Sequence, residues 1–377
     1  MRILHVMEST IGGTRRHLVD AASGLRARGI DVHLAVSTLR QPDFERDLER
    51  LEVSGCGILR LPMVREINPG RDLPHLALLS RHLEALRPDV IHTHSSKAGA
   101  LGRLASVATG IGARVHTPHT FAFLFDAMFP AWKRELFRDV EIALAGHTQR
   151  TIAVSETEAD TIRRSGVVAS DRIRVVANGP DPAPWLSARA IPRSELGVPE
   201  DVPLAAVIGL LNLAKGQDLA IEALVRPGLE RLHLVVAGDG EMREELEALA
   251  QRLGVATRVR FLGHRWDAPG IVAACDFTLL PSRWEGMPYV VLETMAASRP
   301  VVATPVDGAR DVVRPGETGF LASAIDADAI ADACRALLAL DPAERRAMGD
   351  RGRERVLANW TADRMVEGLL AVYRELA

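Results

Sequence analysis

The chain reads as an α/β protein of two successive units, each a parallel sheet covered by helices on both faces. Three observations predict this. Short apolar runs alternate with helix-periodic stretches along nearly the whole chain. At 377 residues the length exceeds one ordinary hydrophobic core. A stretch from 180 to 203 carries Pro180, Pro182, Pro184, Pro192, Pro199 and Pro203, and divides the alternation as an interdomain linker would.

In the first half, Ile3 to Met7 is a strand, Ser9 to Thr14 a glycine-bearing loop, and Arg15 to Arg28 a helix ended by Gly29. The next strand is Val32 to Val36. Gly12 and Gly13 stand where a backbone can approach a phosphate closely, although a tight turn asks for the same residues. The pattern is not G-x-G-x-x-G, so a dinucleotide site is poorly supported. Leu76, Leu79, Leu83 and Leu86 form a helical stripe before the strand Val90 to His94. A loop carrying Lys97 and Gly99 follows, then a helix, and then a strand end at Val115 to His119. His92 and His94 alternate on their strand, so one is expected to pack inward and the other to face the substrate. With no third ligand nearby, the pair is read as packing and not as a metal site.

Between Phe121 and Phe137 lie five of the nine phenylalanines, with Trp132 among them and Lys133, Arg134 and Arg138 interleaved. Such a stretch suits core packing, and also an interfacial surface against anionic lipid headgroups. Ile152 to Ser155 is a strand and Glu156 to Ser165 a helix.

The second half repeats the alternation. Strands are expected at 205–209, 232–237, 259–263, 277–280 and 300–304, and helices fill the remainder to the end. Lys215-Gly216-Gln217-Asp218 opens one helix, and His264 and Arg265 follow the third of these strands.

The most informative stretch is Glu285-Gly286-Met287-Pro288-Tyr289-Val290-Val291-Leu292-Glu293. It follows the apolar strand Phe277 to Leu280. Pro288 suits the first turn of a helix, whose early N–H groups, those of Tyr289 and Val290, make an anion site of the kind a diphosphate fills. Glu285 and Glu293 flank that start. Carboxylates repel phosphate, so their task is to accept hydrogen bonds from hydroxyls, as a sugar ring and a ribose would supply.

Composition bounds the rest. Apolar content of 47% and charged content of 25% are those of a soluble globular protein. A net charge of −3 gives no reason to expect nucleic acid as a partner. Cys56, Cys275 and Cys334 are odd in number and widely spaced, which fits a reducing cytoplasm better than a disulfide framework. No run approaches the ~20 apolar residues of a membrane span, and the N-terminus does not have the form of a signal peptide.

Taken together, the glutamate stretch resembles the signature of family 4 retaining glycosyltransferases of the GT-B fold, and the resemblance covers nearly the whole chain. It implies two Rossmann-like domains facing each other across a cleft: residues 1–185, with a C-terminal helix (361–377) crossing back to them, and residues 186–360, which bind the nucleotide-sugar donor. Gly12-Gly13 with His17 is similar to the family's N-terminal glycine loop. Val90 to Gly99 resembles members that build bacterial capsular and exopolysaccharides. Thr117-Pro118-His119 is similar to the family's Thr-x-His-Gly segment, with Thr120 in place of glycine. Val154-Ser155-Glu156 and Asn178-Gly179 with Asp181 are further landmarks. The family's Gly-Arg-Leu…Lys-Gly reads Gly209-Leu210-Leu211…Lys215-Gly216, so the arginine is lost, and Arg15 or Arg16 is a candidate replacement. The family's Gly-Gly-x-x-Glu segment reads Asp307-Gly308-Ala309-Arg310-Asp311.

The resemblance implies a hexosyltransferase that moves a hexose or N-acetylhexosamine, with retention, from a nucleoside-diphosphate sugar, UDP being the favoured nucleotide. The acceptor would be a glycan or a polyprenyl-diphosphate-linked sugar in surface polysaccharide synthesis. Catalytic roles fall to His119, Glu285 and Lys215. The donor would be held by Gly12, Gly13, Gly209, Lys215, His264, Arg265, Glu285 to Val290 and Glu293, and the acceptor would meet Arg16, His94, Lys97 and Phe121. No cofactor and no metal is expected; Asp326 and Asp328 form a D-x-D read as solvated helix surface. The protein is expected in the cytoplasm, with peripheral contact at the inner face of the membrane. A degenerate transferase serving as a binding or scaffold subunit is the alternative, motivated by Leu210 and Thr120. A nucleotide-sugar 2-epimerase ranks behind it, because it lacks the glutamate stretch.

Overall fold

A computed structural model describes residues 1–376. Contacts divide the chain into a first unit, Met1–Gly179 with the helix Ala362–Arg374, and a second, Pro180–Thr361.

Among the described residues the first unit holds seven strands: β1 (Arg2–Met7), β2 (Asp31–Val36), β3 (Gly57–Arg60), β4 (Val90–His94), β5 (Ala113–Thr117), β6 (Arg150–Ala153) and β7 (Ile173–Val175). They lie in the order β3-β2-β1-β4-β5-β6-β7, every pair parallel. The second unit holds β8 (Leu204–Ile208), β9 (His233–Ala237), β10 (Val259–Gly263), β11 (Phe277–Leu280), β12 (Val301–Ala303) and β13 (Gly319–Leu321), ordered β10-β9-β8-β11-β12-β13 and again parallel. Winding reverses between β1 and β4 in one sheet and between β8 and β11 in the other. Ligands of open α/β sheets bind at such reversals, beyond the carboxyl ends of the strands.

Each sheet is apolar on both faces, as parallel sheets are. In the first unit, Ile3, Val32 and Val90 pack under the helices Gly12–Ala27 and Ala362–Arg374, while Leu4, Ile91 and Leu83 pack on the opposite face. The last helix belongs to this core through Met365, Leu369 and Val372, its 3.6-residue stripe, all under 5% exposed.

Several boundaries differ from the sequence expectation. The helix after β1 starts at Gly12, so Gly12 and Gly13 form its first turn and not a preceding loop; Gly12 enters at φ +52. The helix after β4 likewise begins at Ser96, which places Lys97 in its first turn. The proline-rich stretch is no free linker. Its helix Ala183–Leu186 buries Trp185, and Leu196 and Val198 pack with Leu204 and Ala206 in the second unit, so the division falls after Gly179. Pro288 is the N-cap of the helix Tyr289–Ala296, one residue earlier than expected. Where helices alone were expected near the end, Gly319–Leu321 adds β13 beside β12.

His92 and His94 also need correcting. Residues two apart on a strand share a face. Both rings are fully buried on the same side, with centroids 4.1 Å apart.

Candidate active site

In the second unit the site grows from the ends of β8 and β11. After β8 the chain passes Gly209 to Asn212, whose side chain accepts the N–H of Lys215 at 3.2 Å and closes the turn Leu213–Lys215. Gly216 follows at φ +64, and a Cβ there would lie 2.1 Å from the Pro281 carbonyl oxygen. Glycine is therefore required for the turn to seat against the exit of β11. That contact brings Lys215 to Glu285 across 70 residues of sequence: Nζ lies 2.6 Å from Oε1, and Ser282 Oγ donates to the same oxygen at 2.7 Å.

Around the pair, Arg283 forks onto Asp218 at 2.9 and 2.5 Å and donates to the Leu213 carbonyl, fixing the loop from the outside. Gly286, Met287 and Pro288 are buried and lead into the helix Tyr289–Ala296. Gly308 packs on this loop; a Cβ there would lie 2.7 Å from the Gly286 carbonyl oxygen. A cation, a carboxylate and a helix N-terminus thus converge where the sheet reverses. Such an arrangement can hold a diphosphate by charge and a polyol by carboxylate. Glu293 is half-buried in the same helix. His264 and Arg265 lie at the end of β10, two strands from the reversal. Arg265 is forked onto Asp267 at 2.8 and 2.5 Å, a partner that raises its pKa, and His264 meets the Trp266 ring edge-on.

In the first unit, histidines fill the reversal between β1 and β4. His5 stands opposite His92 in register. His5 Nδ1 lies 3.0 Å from His94 Nε2, and His94 Nδ1 lies 3.2 Å from His119 Nε2. His92 is bound on both sides, by Tyr373 Oη at 2.6 Å and Thr117 Oγ1 at 2.7 Å. His17 Nδ1 lies 2.9 Å from Asn178 Oδ1. Burial holds these imidazoles neutral. It pushes His5 down to about 3 and His17 to about 4, and lowers His92, His94 and His119 well below their ordinary value.

His119 and Thr120 both take left-handed backbone conformations, φ +50 and +74. Buried Glu158 holds this loop, accepting the N–H of Thr120 at 2.7 Å and that of Val154 at 2.6 Å. A threonine thus occupies a conformation that favours glycine.

Some expected roles do not fit the geometry. Phe121 is 2% exposed and stacked on Phe123 in a core cluster, so it cannot face an acceptor. Lys97 Nζ is 2.5 Å from Asp72, and His94 is fully buried. Arg16 is different: it bonds Asp20 one turn along its own helix, and its side chain, 37% exposed, still reaches solvent. Arg15 is committed to Asp47 at 2.7 Å and to the face of Phe44, which removes it as a stand-in for the arginine replaced by Leu210. Asn212, Ser282, Arg283, His5, Glu158 and Tyr373 went unread. Ser155-Glu156-Thr157-Glu158 does carry a capping-box spacing, and Ser155 Oγ does accept the Glu158 N–H.

Two doubly wound units with a lysine, a glutamate and a helix start at the second reversal define a nucleotide-sugar-binding class of protein. Comparison with known proteins agrees. Residues 12–179 match the model of the glycosyl transferase 4-like domain, and residues 189–355 match that of glycosyl transferases group 1. A D-inositol 3-phosphate glycosyltransferase of Acidothermus cellulolyticus is 33% identical over 402 residues, covering 97% of this chain and 86% of that one. The Escherichia coli UDP-Gal:alpha-D-GlcNAc-diphosphoundecaprenol alpha-1,3-galactosyltransferase is 30% identical over 286 residues, 72% of each chain. Among solved structures, Anabaena HepE in complex with UDP-glucose superposes with a TM-score of 0.83 at 24% identity, over the full length of both chains. The chain belongs to the family 4 glycosyltransferases and has their GT-B fold.

Proposed function

We propose that the protein moves a hexose or N-acetylhexosamine from a UDP-sugar, with retention, to a polyprenyl-diphosphate-linked or glycan acceptor in surface polysaccharide synthesis. The observation that carries this reading is the Lys215–Glu285 pair beside the start of the helix Tyr289–Ala296. On donor binding, Lys215 exchanges the carboxylate for the diphosphate and Glu285 turns its acceptor oxygens to sugar hydroxyls, still held by Ser282. As the C1–O bond to phosphate breaks, Lys215 and the N–H groups of the helix start stabilise the charge on the departing UDP. The acceptor oxygen bonds to C1 on the same face, and its proton passes to the leaving phosphate. Glu293 accepts hydrogen bonds from the ribose. Charge stabilisation rests on these protein groups, and the transfer step needs no metal.

Relatives named for a diphosphoundecaprenol acceptor and for lipopolysaccharide core synthesis support a lipid-linked acceptor. So does the surface of the helix Ala131–Ala145. Trp132, Leu136 and Val140 recur at every fourth residue, 67%, 45% and 39% exposed, with Lys133 on one flank and Glu135 and Asp139 on the other. This apolar stripe would meet the bilayer at the inner side of the membrane. No helix among the described residues is long and apolar enough to cross one.

Thermal unfolding with UDP, GDP, ADP and a panel of UDP-sugars tests the donor, since a ligand at 100 times its Kd adds about 2.7 kcal/mol. A UDP-selective shift followed by sugar transfer is expected. A failure of every nucleotide to bind would favour the scaffold reading that Leu210 motivates. Co-sedimentation with phosphatidylglycerol vesicles, lost in Trp132→Glu, tests the membrane face.

A further inference from the structure

We propose that His17, His94 and His119 form a binding site for a divalent transition-metal cation of the zinc type in the first unit. A helix, a strand end and a loop contribute one imidazole each, and one ring nitrogen from every residue lies within 4.8 Å of the other two. His94 Nδ1 and His119 Nε2 are 3.2 Å apart. Two nitrogens on a tetrahedral zinc, each about 2.0–2.1 Å from the metal, stand roughly 3.3 Å apart.

The groups behind the ligands set their lone pairs. Asn178 Oδ1 accepts from His17 Nδ1–H, which leaves Nε2 unprotonated; that nitrogen is buried and has no hydrogen-bond partner. His5 Nδ1 can accept from His94 Nε2–H, which turns the Nδ1 lone pair of His94 toward His119. Metal-bound histidines characteristically donate their second N–H in this way. A purely hydrogen-bonded core accounts for the His94–His119 contact but not for His17 Nε2, which it leaves buried without a partner.

A second set, His5, His92 and His94, is equally close-knit. There both nitrogens of His92 are already engaged by Tyr373 and Thr117, so it offers no third ligand. Burial keeps the imidazoles neutral, so a cation need not displace protons from them. Three protein ligands leave a fourth position for water, on the side of His119, the partly exposed member.

The test uses the full chain, treated with a chelator and dialysed, in the absence of nucleotide and acceptor. Co²⁺ titration is followed by visible d–d absorption, and Zn²⁺ binding by equilibrium dialysis. One equivalent bound with a tetrahedral Co²⁺ spectrum is expected, weakened at least tenfold in His17→Ala and in His119→Ala. Asn178→Ala, which removes the side chain bonded to His17 and keeps all three ligands, should weaken binding 10–100-fold. His119→Ala, at the most exposed position, is the variant least disturbing to the fold, and circular dichroism checks each one. Absence of a bound equivalent, or affinity unchanged in His119→Ala and His17→Ala, overturns the proposal. Since no nucleotide is present, neither result bears on the donor reading, which the UDP shift decides separately.

Discussion

Replacing Lys215 by methionine separates two roles that the Lys215–Glu285 pair could play. If the pair were structural, its loss would appear in stability. The lysine side chain is 29% exposed and the glutamate 12%, and Ser282 still donates to Glu285 when the lysine is gone. The carboxylate is not orphaned, so the expected loss of stability is about 1 kcal/mol or less. For a domain of this size that is roughly 2–4 °C in Tm. The effect on transfer should be far larger. Leu210 supplies no charge, and in the proposed reaction Lys215 is the cation that faces the departing diphosphate. Removing one such donor costs on the order of 10²–10³ in kcat, about 2.7–4 kcal/mol of transition-state stabilisation. Lys215→Arg should retain an intermediate rate. Initial rates of UDP release with the cognate donor and acceptor, read beside Tm, provide the assay. A kcat lowered less than tenfold, or a Tm lowered by 10 °C or more, would refute the reasoning.

Thr120→Gly should raise stability by about 1 kcal/mol, read by urea unfolding, because it relieves a β-branched residue at φ +74. Tyr373→Phe removes the hydroxyl bound to His92 within a fully buried pair and should lower stability by about 1–3 kcal/mol. In metal-free protein the buried histidines make the first unit acid-sensitive. The folded pKa values of His5 and His17, about 3 and about 4, lie below the ordinary 6.5, so the unfolded chain binds protons that the folded chain refuses. Their contribution is complete above pH 6.5 and falls as the pH drops toward those folded values. At pH 5 each has lost about 2 kcal/mol. Urea unfolding followed by far-UV circular dichroism from pH 7.5 to 5 should show this decline, and a flat profile would contradict it.

The alternation of strands and helices was legible because each parallel strand, buried on both faces, is a continuous apolar run such as Phe277 to Leu280. Where the runs are short the reading failed. Gly319-Phe320-Leu321 is three residues long and pairs only at the edge of the sheet, too little to register as a period. The glutamate stretch could be read as a unit because its parts are local. Its pairing with Lys215 could not: the resemblance brings the lysine to the site, but it reaches Glu285 only because Gly216 seats on Pro281, a contact set by three dimensions and not by spacing. The histidines show the same limit. His92 and His94 were visible, but the reversal of strand order that sets β1 beside β4, and so brings in His5, is a property of topology. Phe121 misled because composition marks an aromatic without saying which side it faces.

The helix Ala362–Arg374 closes the first unit with a piece of chain that follows the whole of the second. Met365, Leu369 and Val372 fill its core, Gly24 accommodates Val366, and Tyr373 reaches His92. On the ribosome, all of residues 180–361 are translated before that piece exists. The first unit therefore cannot complete its core ahead of the second: its apolar groove stays open for the time it takes to translate some 180 residues, about 10–40 s at bacterial to eukaryotic rates. Quality control should meet this protein as an unfinished N-terminal half. A premature stop just before residue 362 would strand the histidine cluster and leave the glutamate loop intact.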